Sequence, residues 1–238
     1  MLELERLEHI LDYLRENQTA TVYNLSRRLF VSEATVRRDL TELERRGLVK
    51  RIHGGAVLLD STTGELPLYV RQQQNGEAKQ LIAAQALQYI QDGQVIFLDA
   101  SSTVMYLIPY FENFENLTII TNGVKTAQEL QRLHHKTYCT GGLMLHHSAA
   151  YVGDFAMDFI RQFNADVVFF SSRGVSDSGM ITDASQEETA VRKVMFAQSQ
   201  KKVFLCDSSK FGKAYCYNLC PVSQVDVFLS DKPNPEAR

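Results

Sequence analysis

Six short apolar runs punctuate the last two thirds of this 238-residue chain, at residues 95–98, 117–120, 136–139, 167–170, 203–206 and 225–229. Stretches long enough for helices, among them 124–133, 154–163 and 187–198, separate most of them. A strand with one wet face alternates apolar and polar residues, whereas one that is apolar throughout must be covered on both faces. Such strands alternating with helices predict a mostly parallel sheet between two helical layers. The pattern opens at Lys79 with a helical segment through Ile82, Ala83, Ala86, Leu87 and Ile90, then turns at Asp92-Gly93 into the first strand. Residues 79–238 are numerous enough to bury a core of their own.

The first 58 residues keep a different rhythm. Leu4, Leu7, Ile10, Leu11 and Leu14 fall on one face of a helix. Thr21 is placed to cap a second helix through Leu25 and Leu29, and Ser32 to cap a third that buries Val36, Leu40 and Leu43. Gly47 ends that helix, as glycine does after a last turn. Leu48, Val49, Ile52, Val57 and Leu58 then flank a Gly54-Gly55 turn, the pattern of a β-hairpin. Three helices followed by a hairpin make a winged helix-turn-helix. The chain thus divides into a winged helix-turn-helix domain at 1–58, a polar linker at 59–78 containing Pro67, and an α/β domain at 79–238.

Charge follows the same division. Residues 26–54 hold eight basic groups against four acidic ones, net +4, while residues 59–238 are net -4. A short cationic region on an otherwise acidic chain suits a polyanion such as duplex DNA; a solvated charged face used for protein contacts would look similar. With Val36, Leu40 and Leu43 turned inward, Ala34, Arg38, Thr41 and Arg45 lie opposite, with Arg37 on their flank. In a major groove arginine reaches guanine O6 and N7, and Ala34 or Thr35 meets a thymine methyl. Lys50, Arg51 and His53 on the hairpin are placed for phosphates, which position a protein without reading sequence. The DNA-contact set is therefore Ser32, Ala34, Thr35, Arg37, Arg38, Lys50, Arg51 and His53.

No apolar stretch approaches 18 residues, which excludes a spanning helix, and the first residues lack a secretory pattern. Cys139, Cys206, Cys216 and Cys220 are then read as reduced thiols in a cytoplasmic protein, with the thiols of 139 and 206 inside buried strands. Cys216 and Cys220 are too few for a zinc site, and His146-His147 lacks a third ligand, so neither metal nor cofactor is expected.

Parallel sheets bind ligands beyond the carboxyl ends of their strands. Here those ends read Asp99-Ala-Ser-Ser-Thr, Thr121-Asn-Gly, Thr140-Gly-Gly, Ser171-Ser-Arg-Gly, Asp207-Ser-Ser-Lys and Ser230-Asp231. Ser101, Ser102 and Thr103 precede a helical pattern whose amides can seat an anion. Arg173 and Lys210 add positive charge, and Asp99 and Asp207 can accept from sugar hydroxyls. Thr121, Asn122, Gly141 and Gly142 complete the set. A phosphorylated sugar or similar polyol matches this chemistry. Each element also has a plainer use, as a helix cap or a turn glycine.

The run from Val31 to Leu40, with Leu43-Glu44, Gly47-Leu48 and Arg51-Ile-His-Gly-Gly-Ala56, closely resembles the signature of the DeoR family of bacterial transcriptional regulators. Arg71, Lys79, Asp99-Ala-Ser-Ser-Thr, Thr121-Asn122, Gly141-Gly142, Gly153, Gly174-Val175, Asp207-Ser-Ser-Lys-Phe-Gly and Asp231 continue the resemblance over nearly the whole chain. It implies a sensor domain similar to sugar-phosphate isomerases, a phosphorylated sugar as effector, and a homo-oligomeric repressor, dimer or tetramer, of a carbohydrate operon. By position it implies effector contacts at Ser102, Thr103, Asn122, Gly141, Gly142, Asp207 and Lys210. Two departures stand out. The family commonly has glycine where this chain has Ser101. The related isomerases carry acidic residues where this chain has Ser171-Ser-Arg-Gly174, so the obvious general base is missing. Asp183, Glu187 and Glu188 lie downstream as possible substitutes. The expectation is a regulator that binds without catalysing; the alternative is a sugar-phosphate isomerase with an appended DNA-binding head.

Overall fold

The computed structural model describes residues 2–59 and 66–233. Contacts divide the chain into two compact units, Met1–Arg71 and Gln72–Arg238.

In the first unit, α1 (Glu3–Asn17), α2 (Val22–Leu29) and α3 (Glu33–Arg45) enclose a core in which Ile10, Leu14, Leu25, Val36, Leu40 and Leu43 are fully buried. Thr21 Oγ1 accepts the Asn24 N–H and Ser32 Oγ accepts that of Thr35, so both expected caps form. Gly47 follows α3 at φ +72°. The hairpin pairs β2 (Val49–Ile52) with β3 (Gly55–Leu58), and a strand the sequence did not reveal, β1 (Thr19–Thr21), adds to the far side of β3. Gly55 permits this: a Cβ there would lie 2.0 Å from the Ala20 carbonyl oxygen. Beneath α3, Arg6 of α1 grips Asp39 with Nε–Oδ2 at 2.5 Å and Nη2–Oδ1 at 2.8 Å, both side chains buried.

Part of the stretch read as linker, 60–65, lies outside the described residues. The remainder is not plain coil. Helix α4 (Leu68–Gln73) buries Leu68 and Val70, and α5 (Gly76–Ala86) starts three residues before Lys79. Polar side chains around Pro67 and Gly76 masked both helices.

The second unit centres on a six-stranded parallel sheet. In chain order its strands are β4 (Val95–Leu98), β5 (Thr118–Thr121), β6 (Lys136–Cys139), β9 (Ala165–Phe170), β12 (Ser199–Leu205) and β14 (Val227–Leu229). They lie side by side as β14-β12-β9-β4-β5-β6. These are the six apolar runs, shifted by a few residues at most except for the polar extension of β12. Helix α6 (Val124–Leu130) follows β5, α7 (Asp154–Ile160) precedes β9, and α8 (Gln186–Ala197) precedes β12. Two small antiparallel sheets were not legible in the sequence: the hairpin β7 (Leu143–Leu145) with β8 (Ala150–Val152), and β10 (Gly174–Val175) with β11 (Met180–Asp183) and β13 (Tyr217–Pro221). Their strands are two to five residues long, too short for a period of two to register. One expectation is corrected. Cys139 is exposed, because β6 is the last strand of the sheet and its end lacks cover; Cys206 is buried as read.

Candidate nucleic-acid interface and ligand crevice

Along α3 the outward residues are Ala34, Arg37, Arg38, Thr41 and Arg45. Ser32 Oγ sits 2.9 Å from Thr35 Oγ1, so both hydroxyls are engaged at the helix start. Most of the cations are already answered by glutamates. Arg37 pairs with Glu33 at 2.8 Å, Arg45 and Arg46 share Glu42 at 2.7 and 2.8 Å, and Lys50 lies 3.6 Å from Glu44. Hydrogen bonds from Arg45 and Arg46 hold the Glu42 carboxyl down at about 2. Glu44 also accepts the Arg51 N–H at 2.9 Å, and Arg51 Nη1 donates to Thr41 Oγ1 at 2.8 Å, which lays this wing residue along the outer face of α3. Arg38 is exposed and has no ion pair among the described residues. His53 is exposed in the turn between β2 and β3.

In the second unit the chain runs from β4 outward to β5 and β6, then returns to β9 on β4's other side. The loops after β4 and β9 therefore flank the point where the strand order reverses, the place at the carboxyl edge where such sheets form a ligand crevice. All six sequence-predicted strand ends meet that edge, but they differ in what they do there.

Lys210 Nζ donates to Ser171 Oγ at 2.8 Å and Thr103 Oγ1 at 3.3 Å, and lies 3.5 Å from Asp207 Oδ2. Lys79 Nζ donates to the neighbouring Ser102 Oγ at 3.2 Å. Two ammonium groups from distant parts of the chain thus rest on the hydroxyls of consecutive residues. Lys79 and Asn75 were not singled out for their chemistry by sequence reasoning. The available signal was a lysine on the buried stripe of α5, in register with Ile82, Ala83 and Ala86, where it is only 3% exposed. Asn75 Nδ2 donates to Asp207 Oδ1 and Ser209 Oγ, both at 3.0 Å. Burial pushes the Asp207 carboxyl up, but Lys210, Ser209, Lys79 and Asn75 together outweigh it and leave the group below the ordinary aspartate value. Asp231 fixes the start of this loop by accepting from Ser208 N at 2.6 Å and Ser208 Oγ at 2.8 Å.

Other predicted residues have structural work. Asp99 accepts from Ser101 N at 3.0 Å, Ser171 N at 3.1 Å and Arg192 Nε at 2.8 Å, and is 1% exposed. Its oxygens hold the two crevice loops together. Ser101 Oγ accepts the Val104 N–H and Thr121 Oγ1 the Gly123 N–H, each closing a turn. The segment after Thr103 is a 3-10 helix, Val104–Asn113. Gly141 and Gly142 have φ of +68° and +113°, and a Cβ on Gly142 would come within 2.7 Å of the Val152 carbonyl. Gly141 also lines a shallow cavity of about 400 Å³ with Val124, Gln128, Gln131, Cys139 and Tyr151. Asn122 donates to the Tyr151 carbonyl at 3.0 Å, while its Oδ1 is buried with no hydrogen-bond partner among the described residues. The Arg173 guanidinium lies 5.3 Å from the centre of the Tyr215 ring.

Of the three carboxylates that might have replaced the missing base, Arg192 holds two, while Glu187 is exposed at the start of α8 and accepts from Ser185 Oγ at 3.1 Å. Arg192 Nη1 meets Asp183 Oδ2 at 2.7 Å and its Nη2 lies 3.9 Å from Glu188 Oε2, all three side chains buried. Burial opposes the charge on Arg192, but Asp183, Asp99 and Glu188 outweigh it and raise its pKa. No group of three or more potential metal ligands occurs among the described residues, His146 and His147 included.

Comparison with known proteins matches residues 6–62 to the DeoR-like helix-turn-helix domain and residues 74–232 to the DeoR C terminal sensor domain. The HTH-type transcriptional regulator GolR of Listeria innocua is 34% identical, covering 97% of this chain and 91% of that protein. The HTH-type transcriptional regulator GlpR of Haloferax volcanii is 32% identical over the same shares of the two chains, 97% and 91%. The lactose phosphotransferase system repressor of Staphylococcus epidermidis is 32% identical, with 100% and 96% covered. Among solved structures, ribose 5-phosphate isomerase A of Methanocaldococcus jannaschii overlaps 58% of this chain and 55% of its own, with a TM-score of 0.44 and 16% identity. With both domains matched in order and curated relatives aligned along nearly the full length, the chain belongs to the DeoR family of transcriptional regulators.

Proposed function

We propose that this protein represses a carbohydrate-utilisation operon and that a phosphorylated sugar, bound in the crevice of the second unit, changes its affinity for operator DNA. The observation that carries the ligand class is the pair of lysines. Lys79 and Lys210 present two ammonium groups beside the hydroxyls of Ser102 and Thr103, a set of donors suited to a phosphate dianion, while Ser171 gives its own proton to the Leu205 carbonyl and helps to place Lys210. The unpartnered Oδ1 of Asn122 suits a sugar hydroxyl, since a buried acceptor left empty costs about 1–3 kcal/mol. Association through the second unit, as dimer or tetramer, would pair two heads and set half-site spacing. A regulator of this kind works in the cytoplasm beside the genome, and no helix among the described residues is long and apolar enough to cross a membrane. Binding without turnover is supported by the Ser171-Ser-Arg-Gly174 loop, which offers no carboxylate, and by the capture of Asp183 and Glu188 by Arg192.

The test is a melting-temperature screen of the full chain against sugar phosphates and inorganic phosphate, because a ligand that binds only the folded state raises the midpoint. Lys210→Ala is expected to abolish that rise while leaving operator binding without ligand unchanged. A wild-type response in the Lys210→Ala protein removes Lys210 from the site.

A further inference from the structure

The first residues of the second unit are built into the same crevice. Gln72 follows directly on Arg71, the last residue of the DNA-binding unit. Its carbonyl accepts the Tyr106 hydroxyl at 2.7 Å. Three residues on, Asn75 adopts the left-handed conformation, φ 54° and ψ 38°; its Nδ2 donates to Asp207 and Ser209, and its side chain makes no cap bond to α5. Gly76 comes close enough to Tyr106 that a Cβ would lie 3.1 Å from its hydroxyl. Lys79 then reaches Ser102. Residues 72–79 are therefore pinned by groups on the two loops that present Lys210, Ser102 and Thr103.

We infer that Asn75 is a coupling residue: it reports the state of Asp207 in the crevice to the segment that leads out of the DNA-binding unit. This rests on the phosphate-binding reading of the crevice. Among the described residues, Asp207 is the one carboxylate whose oxygens meet Lys210, Ser209 and Asn75 together. A phosphate arriving on Lys210 and Lys79 competes for the same cations and repels the carboxylate. Asp207 must then give up Lys210 or turn, and either movement alters its grip on Asn75. Since the ligand interacts differently with the two arrangements, it shifts the balance between them, as any allosteric coupling requires. The left-handed backbone at Asn75 keeps the amide aimed at Asp207. A residue serving only as a turn could be glycine, which takes that conformation without strain.

Asn75→Gly separates the two roles, because it keeps the turn and deletes the amide. The experiment follows backbone hydrogen exchange of residues 72–79 in the full-length protein, with and without inorganic phosphate at a concentration that saturates its melting shift. In the wild type phosphate is expected to change exchange in this segment by fivefold or more. In Asn75→Gly the melting shift persists while the exchange response at 72–79 falls below twofold, and Ser209→Ala gives an intermediate response. An undiminished exchange response in Asn75→Gly overturns the inference, as does a wild type that shows the melting shift with no change at 72–79; in either case the phosphate site itself stands. A wild type with no melting shift from phosphate removes the crevice reading and the coupling together.

Discussion

A guanidinium stripped of water needs its charge answered, and three carboxylates surround Arg192: Asp99, Asp183 and Glu188. The arrangement does more than neutralise. Through Asp99 it fixes the amides of Ser101 and Ser171, one on each side of the crevice. Arg192→Met would leave three buried carboxylates without the cation they share, a loss that costs on the order of 3–5 kcal/mol. The expected result is a marked drop in the melting temperature of the second unit by calorimetry, with the head's transition unmoved; a fall below 1 kcal/mol would show that water reaches the cluster. Asp207 supports a different prediction, in pH. Its carboxyl lies below the ordinary aspartate value of 3.8 because its cationic and hydrogen-bonding neighbours outweigh burial. A depressed acid stabilises the fold fully above its unfolded pKa and loses that contribution as pH falls through the folded one. The second unit should therefore lose stability below about pH 4, and Asp207→Asn should flatten the curve there. A parallel acid limb in the variant would locate the loss elsewhere.

At the scale of elements, α3 is the helix expected to read DNA. Its ends are set by Ser32 and Gly47, its inner face by Val36, Leu40 and Leu43, and its tilt is locked to α1 through Arg6 and Asp39. Arg38 is left facing outward with no ion pair among the described residues, so it can turn to a guanine without first breaking one. Arg38→Ala is expected to cost about 1–3 kcal/mol on operator and much less on random duplex. Competition titrations read the ratio, and an unchanged ratio denies Arg38 a reading role. This helix was legible in the sequence because cap, stripe and terminator agreed, and so were the sheet strands built on apolar runs, with the half-polar Lys136–Cys139 strand falling at the sheet edge. The wing's third strand was not, since Thr19–Thr21 is only three residues long and its pairing depends on the absence of a side chain at Gly55, far along the chain. The crevice was legible as a set of strand ends and no further. Composition could not separate Asp99, which braces the loops, from Asp207, which faces Lys210, because both are aspartates one residue or two past a strand. Lys79 and Asn75 were hidden for the opposite reason: they come from helical and turn positions outside the strand ends, and only the tertiary fold brings them there.

For the whole molecule the question is how a chain of net charge -3 finds and releases DNA. Half of the eight basic groups in the head's positive region are answered nearby: Glu33 holds Arg37, Glu42 holds Arg45 and Arg46, and Glu44 lies against Lys50. Exposed pairs of this kind are worth about 0–1 kcal/mol, so a phosphate in the right place displaces them easily. A phosphate in the wrong place gains less than it would from a bare arginine. The glutamates are thus expected to trade general attraction for discrimination. Because counterion release contributes a slope of about -0.9 in log K against log salt for each phosphate neutralised, the trade is measurable. Glu42→Gln removes the acid that holds two arginines at once. It is expected to tighten binding to random duplex, to steepen its salt dependence, and to leave operator affinity changed by a smaller factor, so that the specificity ratio falls. Titrations on both duplexes across a salt series decide the matter. If operator and random DNA gain equally, the glutamate only screens the head; if neither slope changes, Arg45 and Arg46 stay clear of the phosphates, and the contact is confined to the first turns of α3 and the wing.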